Sequence, residues 1–202
     1  MPAASAPASP PSASPRDRLV ETAARLFSRD GFHATGIDRV LAEAGVAKMT
    51  LYKHFRSKGE LVAAVLDRRS AGVLAAVEEA VAAASDARGR LLALFDVLAT
   101  WCGGPSFEGC LFANAASEYG RREDPVHAAA ARSKRGIRDL LLREAVAARA
   151  PDPAALADEL MLLHEGAIAV AYVAGDDGAA ARARDLAGRA VDRALGGALP
   201  GP

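Results

Sequence analysis

The sequence predicts an all-α chain: a three-helix unit at the N-terminus followed by a larger helical bundle. Three observations predict it. Hydrophobic residues make up 51% of the 202 residues but aromatics only 5%, so Ala supplies much of the apolar content, and Ala favours helix over strand. Apolar residues recur at i, i+3, i+4 and i+7, without the sustained alternation that marks strands. Asp-Pro pairs and isolated glycines punctuate the chain where helices start and stop.

Residues 1–15, rich in Ala, Pro and Ser and without charged side chains, predict a disordered leader. From Arg16, Leu19, Thr22, Ala23, Leu26 and Phe27 share one helical face, and Gly31 ends that helix as a left-handed cap. A short helix over about 37–44 buries Ile37, Val40 and Leu41; Gly45 breaks it, and another follows over about 48–55. Two short helices around one glycine, leaning on a longer first helix, make the pattern of a helix-turn-helix. Ser57-Lys58-Gly59-Glu60 reads as a capping box opening a long helix to about residue 84. Ser85-Asp86 caps a helix through Leu91, Leu94, Phe95 and Leu98 to Trp101, stopped by Gly103-Gly104-Pro105. A helix over about 109–120 comes next, then one opened by Asp124-Pro125 and one opened by Asp152-Pro153 that runs to about Val173. Gly175 and Gly178 bracket a turn before the last helix, about 179–195, and residues 196–202 fray. The domain reading is therefore 16–66 for the helix-turn-helix and 67–202 for the bundle.

Composition excludes several classes. The longest uncharged runs are 1–15, which is too polar, and stretches such as 97–107 and 166–175; all fall short of the roughly 18 apolar residues of a membrane helix. The N-terminus lacks the basic start and apolar centre of a secretory signal, which leaves a cytoplasmic chain. Cys102 and Cys110 make no disulfide framework or zinc spacing, and His127, His164 and Glu165 carry no metal-ligand spacing; no metal or cofactor is expected. The chain has no nucleophile elbow, phosphate loop or paired-carboxylate motif, so an enzyme is not the reading. The formal net charge of +0 would argue against nucleic acid were it evenly spread. It is not: residues 16–69 carry 11 Lys and Arg against 7 Asp and Glu, a net of +4, while residues 70–202 carry 14 against 18, a net of −4. A basic head and an acidic body are suited to sitting on DNA in one orientation.

In a helix-turn-helix the second short helix enters the major groove. Here it offers Lys48, Met49, Thr50, Tyr52, Lys53 and His54, while Leu51 and Phe55 face the core. Lys48 suits guanine or phosphate, and Met49 and Thr50 suit a thymine methyl. Lys58, in the first turn of the next helix, suits a phosphate.

The strings Gly31-Phe32-His33-Ala34-Thr35-Gly36-Ile37, Ala44-Gly45-Val46-Ala47-Lys48-Met49-Thr50-Leu51-Tyr52-Lys53-His54-Phe55 and Ser57-Lys58-Gly59-Glu60-Leu61 resemble the DNA-binding domain of the TetR/AcrR family of bacterial transcriptional regulators. The resemblance covers residues 16–66. It implies that Tyr52 and His54 position the DNA backbone, with Tyr52 also touching base edges, and that Thr35 meets a phosphate. Gly36 departs from the commoner hydroxyl residue. The family resemblance also implies a homodimer through the last two helices. The earlier of these is apolar nearly all round, with Leu156, Leu160, Leu163, Ala167 and Val170 on one face and Met161, Leu162, Ile168 and Ala169 elsewhere, so it is covered on more than one side. The double-stranded DNA operator is then an inverted repeat with half-sites about 34–36 Å apart, or somewhat farther.

Polar and aromatic residues at otherwise apolar places predict a small-molecule site: Trp101, Phe107, Cys110, Asn114, Glu118, His164 and Tyr172. The Gly109-Cys110-Leu111-Phe112-Ala113-Asn114 string also resembles one found near the pocket in this family. The expected function is a dimeric repressor released from its operator by a small apolar or amphipathic effector. Two alternatives stand beside it: an oxidant- or electrophile-responsive repressor acting through the Cys110 thiol, and a DNA-binding protein without ligand control.

Overall fold

The computed structural model describes residues 14–105 and 107–196, and all regular structure among them is α-helical. The chain divides into two compact units between Val62 and Ala63, four residues ahead of the boundary drawn after residue 66. Most of the leader, residues 1–13, and the C-terminal residues 197–202 lie outside the described residues.

The first unit holds α1 (Pro15–Asp30), α2 (Ile37–Ala44), α3 (Lys48–His54) and the start of α4 (Lys58–Ala83). Ser14 caps α1 and Pro15 is its first residue, so helical structure starts within the segment expected to be a leader. The Ser14 hydroxyl oxygen accepts from the Asp17 amide at 3.1 Å, and Pro15 opens the first turn, where no N–H is needed. Leu19, Val20, Ala23, Leu26 and Phe27 form the buried stripe of α1, which packs against both α2 and α3. The rest of this core comes from Phe32, Val40, Leu41, Val46, Leu51, Phe55, Leu61 and Val62, whereas Ile37, expected inside, is only half-buried. The Phe27 and Phe32 rings meet at 5.1 Å, drawing the loop after α1 back onto the core.

Gly45 makes the turn between α2 and α3 with φ 61° and ψ 40°, the left-handed region. Its N–H and that of Val46 return to the carbonyls of Ala42 and Leu41, which satisfies the end of α2 and redirects the chain. At the head of α4, Ser57 Oγ accepts from the Glu60 amide at 3.2 Å, and Glu60 Oε2 accepts from the Arg56 amide at 2.7 Å. This is a capping box whose return bond lands one residue ahead of the cap.

The second unit holds the remainder of α4 with α5 (Ala87–Cys102), α6 (Leu111–Glu118), α7 (Pro125–Ala147), α8 (Pro153–Ala174) and α9 (Ala179–Ala194). Leu91, Leu92, Ala93, Leu94 and Phe95 are buried in succession, so this stretch of α5 is enclosed on all sides; the helix packs against α7, α8 and α9. The Asp86, Asp124 and Asp152 carboxylates each accept an amide of the helix that follows. The α6 helix is shorter than the expected 109–120, because Gly109 adopts φ 79° and Cys110 becomes the N-cap. The buried side of α9 consists of Ala179, Ala180, Ala183, Ala187, Gly188, Ala190 and Val191, small enough for neighbouring backbones to approach closely. Arg88–Asp192 (2.6 Å) and Arg184–Asp96 (2.5 Å) lace α9 to α5; these exposed pairs contribute register more than stability. Along residues 67–83 of α4 only Val77 is fully buried. That stretch is tied to α7 by Asp67–Arg132 and Glu78–Arg143, and the tip of Leu74 occupies the notch left by Gly136. Among the described residues no helix is long and apolar enough to cross a membrane.

Nothing lies within 4 Å of a Cβ built on Gly45, so substitution there meets only the backbone cost. Gly45→Ala is expected to lower stability by about 1–2 kcal/mol, and Gly45→Asn by less, read from urea midpoints.

Candidate functional site

α3 is two turns long and carries no acidic residue. Leu51 is its one buried residue, and Phe55, its C-cap, is buried just beyond. With those two turned inward, the opposite side faces solvent: Met49 is 73% exposed and Tyr52 48%, with Lys48, Lys53 and His54 also exposed and Thr50 half-buried. A helix of seven residues is about 10 Å long, a length that a major groove about 12 Å wide accepts. Lys48 Nζ stands 3.4 Å from Asp38 on α2, an exposed pair too weak to hold the lysine against a competing phosphate. Lys58 Nζ donates to the His33 carbonyl at 3.3 Å, which links the head of α4 to the loop before α2. Arg16 lies over the Phe55 ring at 5.3 Å and stacks a cation on the anchor of α3.

Thr35 departs from expectation. Its side chain is fully buried, and its hydroxyl donates to the Gly31 carbonyl at 2.8 Å. That group braces the loop and is turned away from solvent, where a phosphate would lie. Gly36 is the N-cap of α2 and brings no side-chain bond to it, so the departure noted in sequence is also a missing cap.

In the second unit the expected residues fall into two groups. The Phe107 ring meets Trp101 edge-on at 4.9 Å and Tyr172 edge-on at 6.3 Å. The Tyr172 ring in turn lies against Gly109, where a Cβ would stand 2.8 Å from it. The other group centres on Lys134 of α7, which sequence reasoning missed. Its Nζ donates to both Glu165 oxygens at 2.7 Å and to Cys110 Sγ at 3.2 Å, and it sits 5.8 Å from the Phe112 ring centroid. His164 is buried with its Nδ1 3.0 Å from Glu165 Oε1. Burial pushes the Glu165 carboxyl up, but the His164 hydrogen bond and the Lys134 ammonium outweigh it and hold it below the usual carboxylate range. Asn114 and Glu118 follow Cys110 on α6, both half-buried. His127 Nδ1 meets the Tyr119 carbonyl at 3.0 Å, a bond that fixes the α6–α7 connection. Burial raises the pKa of Cys102, the second thiol.

A family model described as bacterial regulatory proteins of the tetR family matches residues 19–65. A second, described as a tetracyclin repressor-like C-terminal domain, matches residues 87–187, half of the chain. The chain belongs to the TetR/AcrR family of bacterial transcriptional regulators. Membership makes it a transcription factor and not an enzyme. Among solved structures, SCO4454, a TetR-family regulator from Streptomyces coelicolor, is 31% identical with a TM-score of 0.77, covering 90% of this chain and 94% of that one. E. coli NemR in its reduced form is 24% identical with a TM-score of 0.78, over 86% of this chain and 94% of that one; that likeness is one of fold. FasR of Mycolicibacterium smegmatis, named a transcriptional activator, is 41% identical over 78 residues, which is 39% of this chain. SCO4008 of Streptomyces coelicolor, named a transcriptional repressor, is 40% identical over 52 residues, or 26% of this chain. This chain spans 36% and 27% of those two relatives' lengths.

Within the TetR frame, one signal in the sequence pointed to Lys134: it is the only lysine after residue 58, in a stretch whose other basic side chains are arginine and histidine.

The Glu165 shift carries a pH signature. With the folded-state carboxyl held below its ordinary 4.5, its contribution to stability is full above that value and is lost as pH falls through the lower folded one. The deficit in melting temperature of Glu165→Gln against wild type is expected to shrink between about pH 6 and about pH 3; a pH-independent deficit contradicts the ion-pair account.

Proposed function

We propose that the chain is a dimeric, ligand-responsive repressor that reads an inverted-repeat operator with α3. The observation that carries this reading is the division of α3 into a buried Leu51 and an exposed row of Lys48, Met49, Tyr52, Lys53 and His54. Lys48 and Tyr52 meet base edges and phosphates, Met49 and Thr50 meet thymine methyls, and Lys53, His54 and Lys58 position the backbone. Repression needs only that the dimer occupy promoter DNA. The effector binds in the second unit, among Trp101, Phe107, Cys110, Asn114, Glu118, His164 and Tyr172, and favours a dimer state whose reading heads no longer match successive major grooves. Tenfold release requires that the effector prefer this state by about 1.4 kcal/mol.

A stripe on α8 supports dimerisation through the last two helices. Leu162, Gly166, Ala169 and Val173 are all exposed at spacings of four, three and four, with Leu162 at 74% and Val173 at 83%. Leu186 adds an exposed apolar side chain on α9. Nothing stands within 4 Å of a Cβ on Gly166, which leaves room for a partner helix to come close. A heptad-like stripe of this kind is what a helical partner covers.

The thiol-based alternative has one observation in its favour: Lys134 places a cation against Cys110 Sγ, a setting in which reactive cysteines occur. Mass spectrometry after alkylation of the native protein tests it, and an unmodified Cys110 removes it.

Tyr52→Ala is expected to weaken operator binding at least tenfold with helicity unchanged, measured by anisotropy on DNA selected by the protein. Lys58→Ala is expected to weaken all sequences alike and to lower the salt slope by about 1. Leu162→Glu is expected to shift the protein to monomers in light scattering and to weaken operator binding in parallel.

A further inference from the structure

We propose that the effector is an amphipathic aromatic acid whose anionic head takes the place of Glu165 on Lys134 while its ring joins the Trp101–Phe107–Tyr172 stack. The inference rests on the effector reading above and names the chemistry of the ligand. Its polar end is built from three elements. Lys134 of α7 directs its ammonium at both Glu165 oxygens and at Cys110 Sγ. His164 holds one of the same carboxylate oxygens at 3.0 Å. Lys134 and Glu165 keep 26% and 32% of their side-chain surface open, so the pair is accessible. Cys110 caps α6 with a thiol, 3.4 Å from the Ala113 amide, a weak acceptor at the positive end of a helix. The apolar end lies along the same side of α8. Tyr172 follows Glu165 by seven residues, about 10 Å along the axis, a span that suits a one- or two-ring acid. Phe107 and Cys110 sit three residues apart beside those two ends.

The choice of acid over base follows from what each leaves behind. An acid on Lys134 sets two carboxylates beside one ammonium, but the displaced Glu165 keeps its hydrogen bond to His164 and the acid faces the positive end of α6. A base on Glu165 strands Lys134 against the thiol and that same helix end, with two cations left competing for one carboxylate. A neutral ligand covers the open edge of the ion pair and replaces none of its bonds, a desolvation cost without return.

The test uses the full-length protein with biphenyl-4-carboxylate, 2-naphthoate and phenylacetate, each matched to its carboxamide and to an amine of the same skeleton. Thermal shift and calorimetric titration are read with operator release. At least one acid is expected to bind ten times or more tighter than its amide and amine. Glu165→Gln removes the internal competitor and is expected to tighten that acid about tenfold, the worth of one charge-assisted hydrogen bond, leaving the amide unchanged. Lys134→Met is expected to abolish acid binding; if that variant does not fold, Lys134→Arg decides, by retaining acid preference. Amide or amine binding as tight as acid, weaker acid binding by Glu165→Gln, or no binding by any acid overturns the proposal. An acid that binds in the expected pattern without changing operator affinity overturns the regulatory reading instead. Release of DNA by the amides or amines alone leaves that reading standing and overturns the acid.

Discussion

A two-turn helix does not persist in water alone, because too few hydrogen bonds repay its nucleation. The reading surface proposed for this chain is such a helix, so the orientation of every exposed side chain on α3 depends on the seating of Leu51 in the core shared with α1 and α2. Gly45 sets the angle at which α3 enters and Phe55 closes its far end against Arg16. The three together leave α3 one pose. A reading head built this way is preorganised: the ordering of the helix is accomplished by folding and does not have to be supplied when DNA binds.

The second unit solves a different problem, that of keeping polar groups inside an apolar bundle without leaving them unsatisfied. Lys134, Glu165 and His164 do this by pairing among themselves, and no buried side-chain nitrogen or oxygen among the described residues lacks a partner. Such a network is stable while complete and costly once one member is lost, which makes it sensitive to a ligand that supplies a substitute. Lys134 also lies on α7 between Arg132 and Gly136, the residues that meet Asp67 and Leu74 of α4. One helix thus borders the polar cluster and the loosely packed part of α4.

Helix boundaries were legible wherever a local chemical signal marks them. The Asp caps at 86, 124 and 152, the Ser57–Glu60 box and the Gly45 turn are contained within four residues and act as the sequence suggests. Ser14-Pro15 carries the same kind of signal and was absorbed into a low-complexity leader because its neighbours share that composition. The inward face of α3 was legible from the spacing of Leu51 and Phe55, whereas the burial of Thr35 was not, since a loop hydroxyl carries no periodicity. The polar cluster was half visible. Cys110 and His164 stood out as polar groups at apolar positions, but Lys134 is 24 residues from one and 30 from the other, and only the packing of α6, α7 and α8 brings them together.

The small-residue seam of α9 has a consequence for how this protein tolerates change. Its buried positions are Ala, Gly and Val, so hardly any side chain there can be shortened and no sizeable cavity can be cut. Most substitutions add volume, and added volume in a close-packed seam forces backbones apart at a typical 1–3 kcal/mol. Beside Gly188 the atom that must shift is the flexible end of Arg88, which pairs with Asp192 on the same helix. Drift along this seam is one-sided: it meets steric resistance in nearly every direction.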